Sequence, residues 1–178
     1  MIEKAKECDI SSVVKIYDNI IEKELRGECT TGWLKGIYPT EATARAALGR
    51  GDLFVYRDKS GKVSASAIIN RLQVDSYAKG SWLFPADDDT VMVIHTLTVN
   101  PDDSGKGIGR EFVSFYERYA FENGCSVLRM DTNEKNSAAR GLYAKLGYRE
   151  AGIVYGDFCG IPDVGLVLLE KQVPEFTL

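Results

Sequence analysis

Histidine is all but missing from this 178-residue chain, in which His95 stands alone. A metal centre built on several imidazoles is thereby excluded. Cysteine is sparse too: Cys8, Cys29, Cys125 and Cys159 are scattered with no C-x-x-C pair. Neither a zinc site nor the disulfide framework of a small secreted domain follows from them. Long apolar runs are lacking, so no stretch reaches the length of a membrane span. Met1-Ile2-Glu3-Lys4-Ala5-Lys6 lacks the apolar core of a signal peptide, and the expected location is the cytoplasm, with no membrane partner. An excess of positive charge is missing as well. With 22 basic and 26 acidic residues the net charge is −4, which leaves no footprint for nucleic acid and slightly favours a cationic small partner. No repeat, linker or low-complexity tract divides the chain. Residues 1–178 therefore read as one domain, and 44% apolar content is enough for a sound core.

What is present is a strong alternation of helical and strand patterns. Asp9 reads as the N-cap of a helix to about Arg26, with Ile10, Val13, Val14, Tyr17, Ile20 and Ile21 at helical spacing. Thr40 starts a second helix that ends near Gly49-Arg50-Gly51. Leu53 to Arg57 and Val63 to Leu72 form a hairpin about Asp58-Lys59-Ser60-Gly61. Gln73 to Asp89 is irregular, and its acidic run Asp87-Asp88-Asp89 reads as a solvated loop. Thr90 to Val99 is nearly continuous in β-branched and apolar residues, as a strand covered on both faces would be. A helix with Ile108, Phe112, Phe115, Tyr116 and Tyr119 on one face ends at Asn123-Gly124. Val127 to Thr132 is a strand. A helix capped by Asn136 or Ser137 runs through Leu146, and strands at Arg149 to Tyr155 and Val164 to Glu170 close the chain. The predicted fold class is α/β, a single mixed central sheet with element order ααβββαβαββ. If the strands on either side of the Gly-rich helix are parallel, they form one crossover unit with its ligand at their C-terminal ends.

The most informative stretch is Leu97-Thr98-Val99-Asn100-Pro101-Asp102-Asp103-Ser104-Gly105-Lys106-Gly107-Ile108-Gly109-Arg110. A strand ends in a proline turn, and glycines at every second position open a helix. Such glycines let the backbone approach a ligand, and the free N–H groups of the helix start suit a phosphate or pyrophosphate. A dinucleotide fingerprint fails, because Arg110 follows Gly109 and no βαβ unit opens the chain. A P-loop fails, because Gly107 follows Lys106. The pattern x-x-G-x-G, as in acyl-coenzyme A binding, remains.

Three pieces, in the right order, then resemble the GNAT superfamily, the GCN5-related N-acetyltransferases. They are Leu97-x-Val99-x-Pro101 with Gly105-x-Gly107-x-Gly109; Leu128-Arg129-Met130-Asp131-Thr132; and Asn136-x-x-Ala139-x-x-x-Tyr143-x-x-x-Gly147-Tyr148. The motif core covers about residues 90–152. The resemblance implies a GNAT fold with splayed central strands. It also implies acetyl-CoA as co-substrate with no metal, and a primary amine as acceptor, such as a small molecule, with a protein terminus or lysine, or a non-catalytic acyl-CoA sensor, as alternatives. The backbones of Leu97 and Val99, with Thr98 between them, would hold the pantetheine arm. Ser104, Gly105, Lys106, Gly107, Ile108, Gly109 and Arg110 would surround the pyrophosphate. Ser104 departs from the Gln or Arg usual in the family, so a side-chain contact is lost there. Asn136 and Ala139 match positions near the arm, although Asn136 is equally read as a plain helix cap.

For catalysis the resemblance implies Tyr143 as the acid that protonates the leaving thiolate, beside a reading of Leu142, Tyr143 and Leu146 as one buried helix face. His95 has the ordinary pKa for a base that takes the amine's proton. Unless a bulge intervenes it points the same way as Leu97 and Val99; the alternative is a satisfied core histidine. Asp131 and Glu134 are weaker base candidates. By resemblance the acceptor pocket is bordered by Glu24 to Tyr38 and Gly156 to Asp163, with Trp33, Tyr38, Tyr155, Phe158 and Ile161 as candidate lining. An exposed edge strand near the C-terminus suits a homodimer.

Overall fold

The strand Val91–Val99 opens Val-Met-Val-Ile because both of its faces are covered, and the whole sheet is built outward from it. A computed structural model describes residues 1–176. In chain order they form β1 (Ile2–Lys4), α1 (Ile10–Leu25), α2 (Glu41–Arg50), β2 (Leu53–Arg57), β3 (Val63–Asn70), β4 (Val91–Val99) and α3 (Ile108–Glu122). These are followed by β5 (Val127–Asn133), α4 (Ser137–Lys145), β6 (Arg149–Phe158) and β7 (Ile161–Gln172). The strands make one mixed sheet in the order β1-β2-β3-β4-β5-β7-β6. β4 and β5 are the parallel pair, joined through α3, so the expected crossover unit is present. No helix among the described residues is long and apolar enough to cross a membrane.

One detail departs from the expected element order, and one from the expected side-chain capping. β1 precedes the first helix and pairs with β2 through Ile2↔Tyr56 and Lys4↔Phe54; three residues are too few to show a period. Asp9 sits at the start of α1 but caps nothing with its side chain. Its carboxylate instead accepts from Lys6 N at 2.9 Å and from Arg57 at 3.0 Å, tying the chain's first turn to β2.

Helices cover one face of the sheet over β1 to β5 and β7, and the other face only in part; the edge strand β6 is mostly exposed. α3 and α4 pack on Ile94, Leu128, Met130 and Val167 through Ile108, Phe112, Tyr116 and Tyr143. Tyr116 also bonds the Met92 and Arg129 carbonyls at 2.6 and 3.0 Å, bolting α3 to both parallel strands. On the opposite face, α1 and α2 cover Leu53, Val55 and Ile68. There the segment 73–89 replaces a helix over β5 and β7, burying Tyr77 against Val91, Val93 and Leu168. Its fastening is polar and specific. The fully buried Glu170 accepts from Leu83 N at 2.7 Å and Phe84 N at 3.2 Å and pairs with Arg149. The Arg129 guanidinium lies 4.2 Å from the Trp82 ring centroid. The irregular stretch thus covers half a sheet face, while its acidic run Asp87-Asp88-Asp89 is exposed as expected.

Candidate active site

The parallel pairing of β4 with β5 stops at Ile94↔Met130, although β4 runs on to Val99 and β5 to Asn133. Beyond that point β4 stays with β3 (Ser66↔Thr98, Ala65↔Val99) and β5 stays with β7 (Asp131↔Leu168, Asn133↔Leu166). The two strands therefore splay, and a cleft of about 880 Å³ opens between them. The cleft passes through the sheet. Leu97, Val99, Gly109, Ala139, Leu142 and Tyr143 line it on the α3/α4 face; Trp33, Tyr38, Phe158, Ile161, Val164 and Leu166 line it on the other.

A bulge sits at the mouth of the splay. Ser66 pairs with Thr98 and Ile68 with His95, so three steps along β4 face two along β3, and Thr96 takes φ 50°. The extra residue reverses the facing of the side chains. Leu97 and Val99 pack toward α3, whereas His95 shares the α1/α2 face with its partner Ile68. The expectation that His95 points with Leu97 and Val99 is thus corrected. Although His95 touches the cleft wall, its Nε2 is turned to Leu72 O at 3.0 Å and Asn70 Oδ1 at 3.2 Å. Burial pushes its pKa down to about 4. Thr98 is buried, bonded to Ser66 Oγ at 2.8 Å, so its main chain alone is left for the cleft.

The glycine loop is shaped for a phosphate. Gly105 and Gly107 have φ of 77° and 80°, a conformation that costs other residues about 1–2 kcal/mol. Gly107 is the N-cap of α3 and supplies no side-chain acceptor, so the first-turn N–H groups of Ile108, Gly109 and Arg110 are left to a ligand. Ser104, Gly105, Gly107, Ile108, Gly109 and Arg110 line the cleft. Lys106 does not; its Nζ is 2.6 Å from Asp103, which Lys62 also holds at 2.9 Å. The two lysines keep the Asp103 carboxyl well below the usual carboxylate range. Ala139 lines the cleft, and Asn136 does so while its Oδ1 caps α4 by accepting from Ala139 N at 3.2 Å. Asn136 is thus a helix cap that also forms part of the cleft wall.

Two ionisable groups meet at the splay from opposite faces. Tyr143 comes from α4; burial, reinforced by the Asp131 carboxyl, raises its pKa and keeps it protonated. Asp131 comes from β5, where alternation with Met130 turns it to the far face. Its carboxyl opens onto the cleft, and Oδ2 accepts from the Tyr77 hydroxyl at 2.8 Å. Desolvation raises its pKa to about 6, against a lowering by the Tyr77 hydrogen bond. Sequence reasoning ranked Asp131 low and missed Tyr77, which lies in the irregular segment far from any motif. Glu134 turns outward, where it accepts from the Tyr155 hydroxyl at 2.8 Å. Tyr155, expected in the acceptor pocket, is outside it. It pairs with Gly165, between the cleft-facing Val164 and Leu166, and so lies on the opposite face.

On the α1/α2 face the cleft is roofed by residues 26–40. Glu24 Oε2 accepts from Thr31 N and Oγ1 at 2.6 and 2.7 Å, and Thr30 Oγ1 donates to Lys135 O at 2.8 Å. Gly32 lies so close to Asn133 that a Cβ there would come within 2.3 Å of it. Tyr38 shares a 2.5 Å hydrogen bond with Thr96 at the bulge. No group of three or more metal-ligating side chains occurs among the described residues.

Such a splayed parallel pair, with a glycine-capped helix start at its carboxyl end, defines a class of α/β domain that takes an extended, phosphate-bearing carrier through its sheet. The chain belongs to the acetyltransferase (GNAT) family, whose profile matches residues 20–148. An uncharacterized N-acetyltransferase of Methanocaldococcus jannaschii is 29% identical over 76 residues, 43% of this chain and 34% of that protein. The matched stretch spans about a third of that relative's length. Among solved structures, a phosphinothricin N-acetyltransferase superposes with a TM-score of 0.71 at 21% identity, over 98% of this chain and 99% of that one. The yncA protein of Salmonella typhimurium, solved with its cofactor acetyl-CoA, gives 0.68 at 18% identity, over 100% and 96%. At these identities the likeness is one of fold.

Proposed function

We propose that this protein is an N-acetyltransferase that moves an acetyl group from acetyl-CoA directly to the primary amine of a small molecule. The observation that carries this reading is the cleft through the splayed sheet, with Tyr143 entering from one face and Asp131 from the other. The residues fit the co-substrate: uncapped N–H groups at Gly107–Arg110 for a pyrophosphate, and the unpaired facing edges of β4 and β5 for an extended arm. When bound, acetyl-CoA supplies an activated acyl thioester. Asp131 takes the proton that the amine nitrogen sheds as its bond to the acyl carbon forms. Tyr143 gives a proton to the sulfur as the carbon–sulfur bond breaks. The closed geometry holds the two reactants in line, which supplies much of the acceleration.

The roof across the acceptor side favours a small acceptor over an extended peptide. A pure acyl-CoA sensor has no use for an acid and a base on opposite sides of the splay. The test is calorimetric titration with acetyl-CoA, with NAD and ATP as controls, followed by a free-thiol release assay with amines. Binding of acetyl-CoA alone is expected. Tyr143→Phe should lower turnover on the order of a hundredfold with coenzyme affinity nearly unchanged. Unchanged turnover would remove Tyr143 from the mechanism.

A further inference from the structure

We propose that the acceptor is a small monoamine with an apolar, largely aromatic body and no carboxylate of its own. This rests on the transfer reading above and narrows it to a substrate class. The acceptor side of the cleft is walled by an aromatic chain: Trp33 and Tyr38 meet edge to face at 6.1 Å, and Tyr38 and Phe158 at 5.9 Å. Ile161, Val164 and Leu166, each under a tenth exposed, form the floor. Rings and branched aliphatics recognise an apolar body of matching size and leave orientation to a few polar groups.

The charges around the cleft decide the rest. The carboxyl groups on this wall are Asp131, buried at the splay with a pKa of about 6, and Glu28, half exposed at the rim. The Tyr38 and Cys159 groups near Asp131 are held neutral by burial. Every cationic side chain of the cleft is accounted for elsewhere. Lys23, at the end of α1, is 3.7 Å from Glu28. Arg110 and Lys145 belong to α3 and α4 on the opposite face. His95 is neutral and turned to Leu72. A carboxylate on the acceptor would therefore meet the Asp131 charge, with Lys23, set against Glu28 at the exposed rim, as the cation on this face, and that is disfavoured in a desolvated site. An ammonium group arriving at the same place finds Asp131 and aromatic faces, both of which favour it.

The experiment is free-thiol release from acetyl-CoA with matched acceptor pairs: 2-phenylethylamine against phenylalanine, and tryptamine against tryptophan. Each amine should exceed its carboxylated twin in kcat/KM by on the order of a hundredfold. Phe158→Arg, which brings a cation to this wall, should shrink that ratio by roughly tenfold or more, and retained acetyl-CoA binding will show that the variant is folded. Equal or better use of the amino acids overturns the substrate class and leaves acetyl transfer standing. So does release with a peptide N-terminus and none with the monoamines. No release with any amine, despite acetyl-CoA binding, overturns both.

Discussion

At the scale of single residues, Asp131 and Tyr77 form a unit that no short-range motif announces. Asp131 is an ordinary carboxylic acid placed where desolvation outweighs its hydrogen bond, so its pKa stands near 6. A base must be deprotonated to act, so kcat/KM is expected to fall as pH drops below about 6. Asp131→Asn should abolish that acid limb and lower kcat on the order of a hundredfold or more, with acetyl-CoA still bound. In the proposed mechanism Tyr77, which donates to Asp131 Oδ2 at 2.8 Å, positions the carboxyl rather than reacting. Tyr77→Phe removes the one hydrogen bond that favours the charged form, so the acid limb should move to higher pH while kcat at alkaline pH stays near wild type. A limb that does not move would reduce Tyr77 to packing. These roles also mark the limits of reading the chain. The cleft-lining positions of Tyr143 and the glycines were legible because they belong to a fixed spacing along one helix and one loop. His95 was misplaced by a single extra residue at Thr96, and a bulge leaves no trace in an apolar strand. Tyr77 is joined to Asp131 by 54 positions of chain that local pattern cannot span.

At the scale of elements, the start of α3 separates two kinds of glycine. Gly107 has φ 80° with nothing within 4 Å of a built Cβ, so its need is conformational. Gly109 is helical, and a Cβ there would touch Leu142 at 3.5 Å and Val99 at 3.8 Å, ordinary contacts. Gly107→Ala should therefore destabilise the protein by about 1–2 kcal/mol. Gly109→Ala should be neutral or stabilise it by up to about 1 kcal/mol. Thermal melts of the two variants without ligand will rank them, and the reverse ranking would contradict the loop geometry. Elements of this length were largely visible beforehand. α2, β2, β4, α3, β5 and α4 begin within a residue or so of their periodic signals, because caps, glycine stops and β-branched runs are local. β1 was not visible, since three residues acquire strand geometry only from their partner β2. The cover formed by 73–89 depends on Glu170 and Arg129, which lie on strands far along the chain.

At the scale of the whole molecule, the two groups that flank the splay pull stability in opposite directions with pH. His95 has its pKa lowered from 6.5 to about 4, so between those values the unfolded chain holds more protons and stability rises with pH. Its neutral, buried state contributes in full above 6.5 and is lost as pH falls toward 4. Asp131 has its pKa raised from 3.8 to about 6, so over nearly the same window the folded chain holds more protons and stability falls as pH rises. The two shifts are comparable in size and opposite in sign. Asp103, held below its ordinary 3.8 by Lys62 and Lys106, adds its slope only in more acidic solution. The melting temperature of the ligand-free protein should therefore change little from these sites between about pH 4 and 6.5. Removing either group should expose the other's slope. Asp131→Asn should leave a protein whose melting temperature climbs with pH across that window. His95→Gln, which keeps a donor for Leu72, should leave one whose melting temperature declines. Melting curves of the three proteins at half-unit steps will decide the matter: parallel curves would mean that neither group changes its proton affinity on folding, and the pH optimum could not then be assigned to a desolvated Asp131.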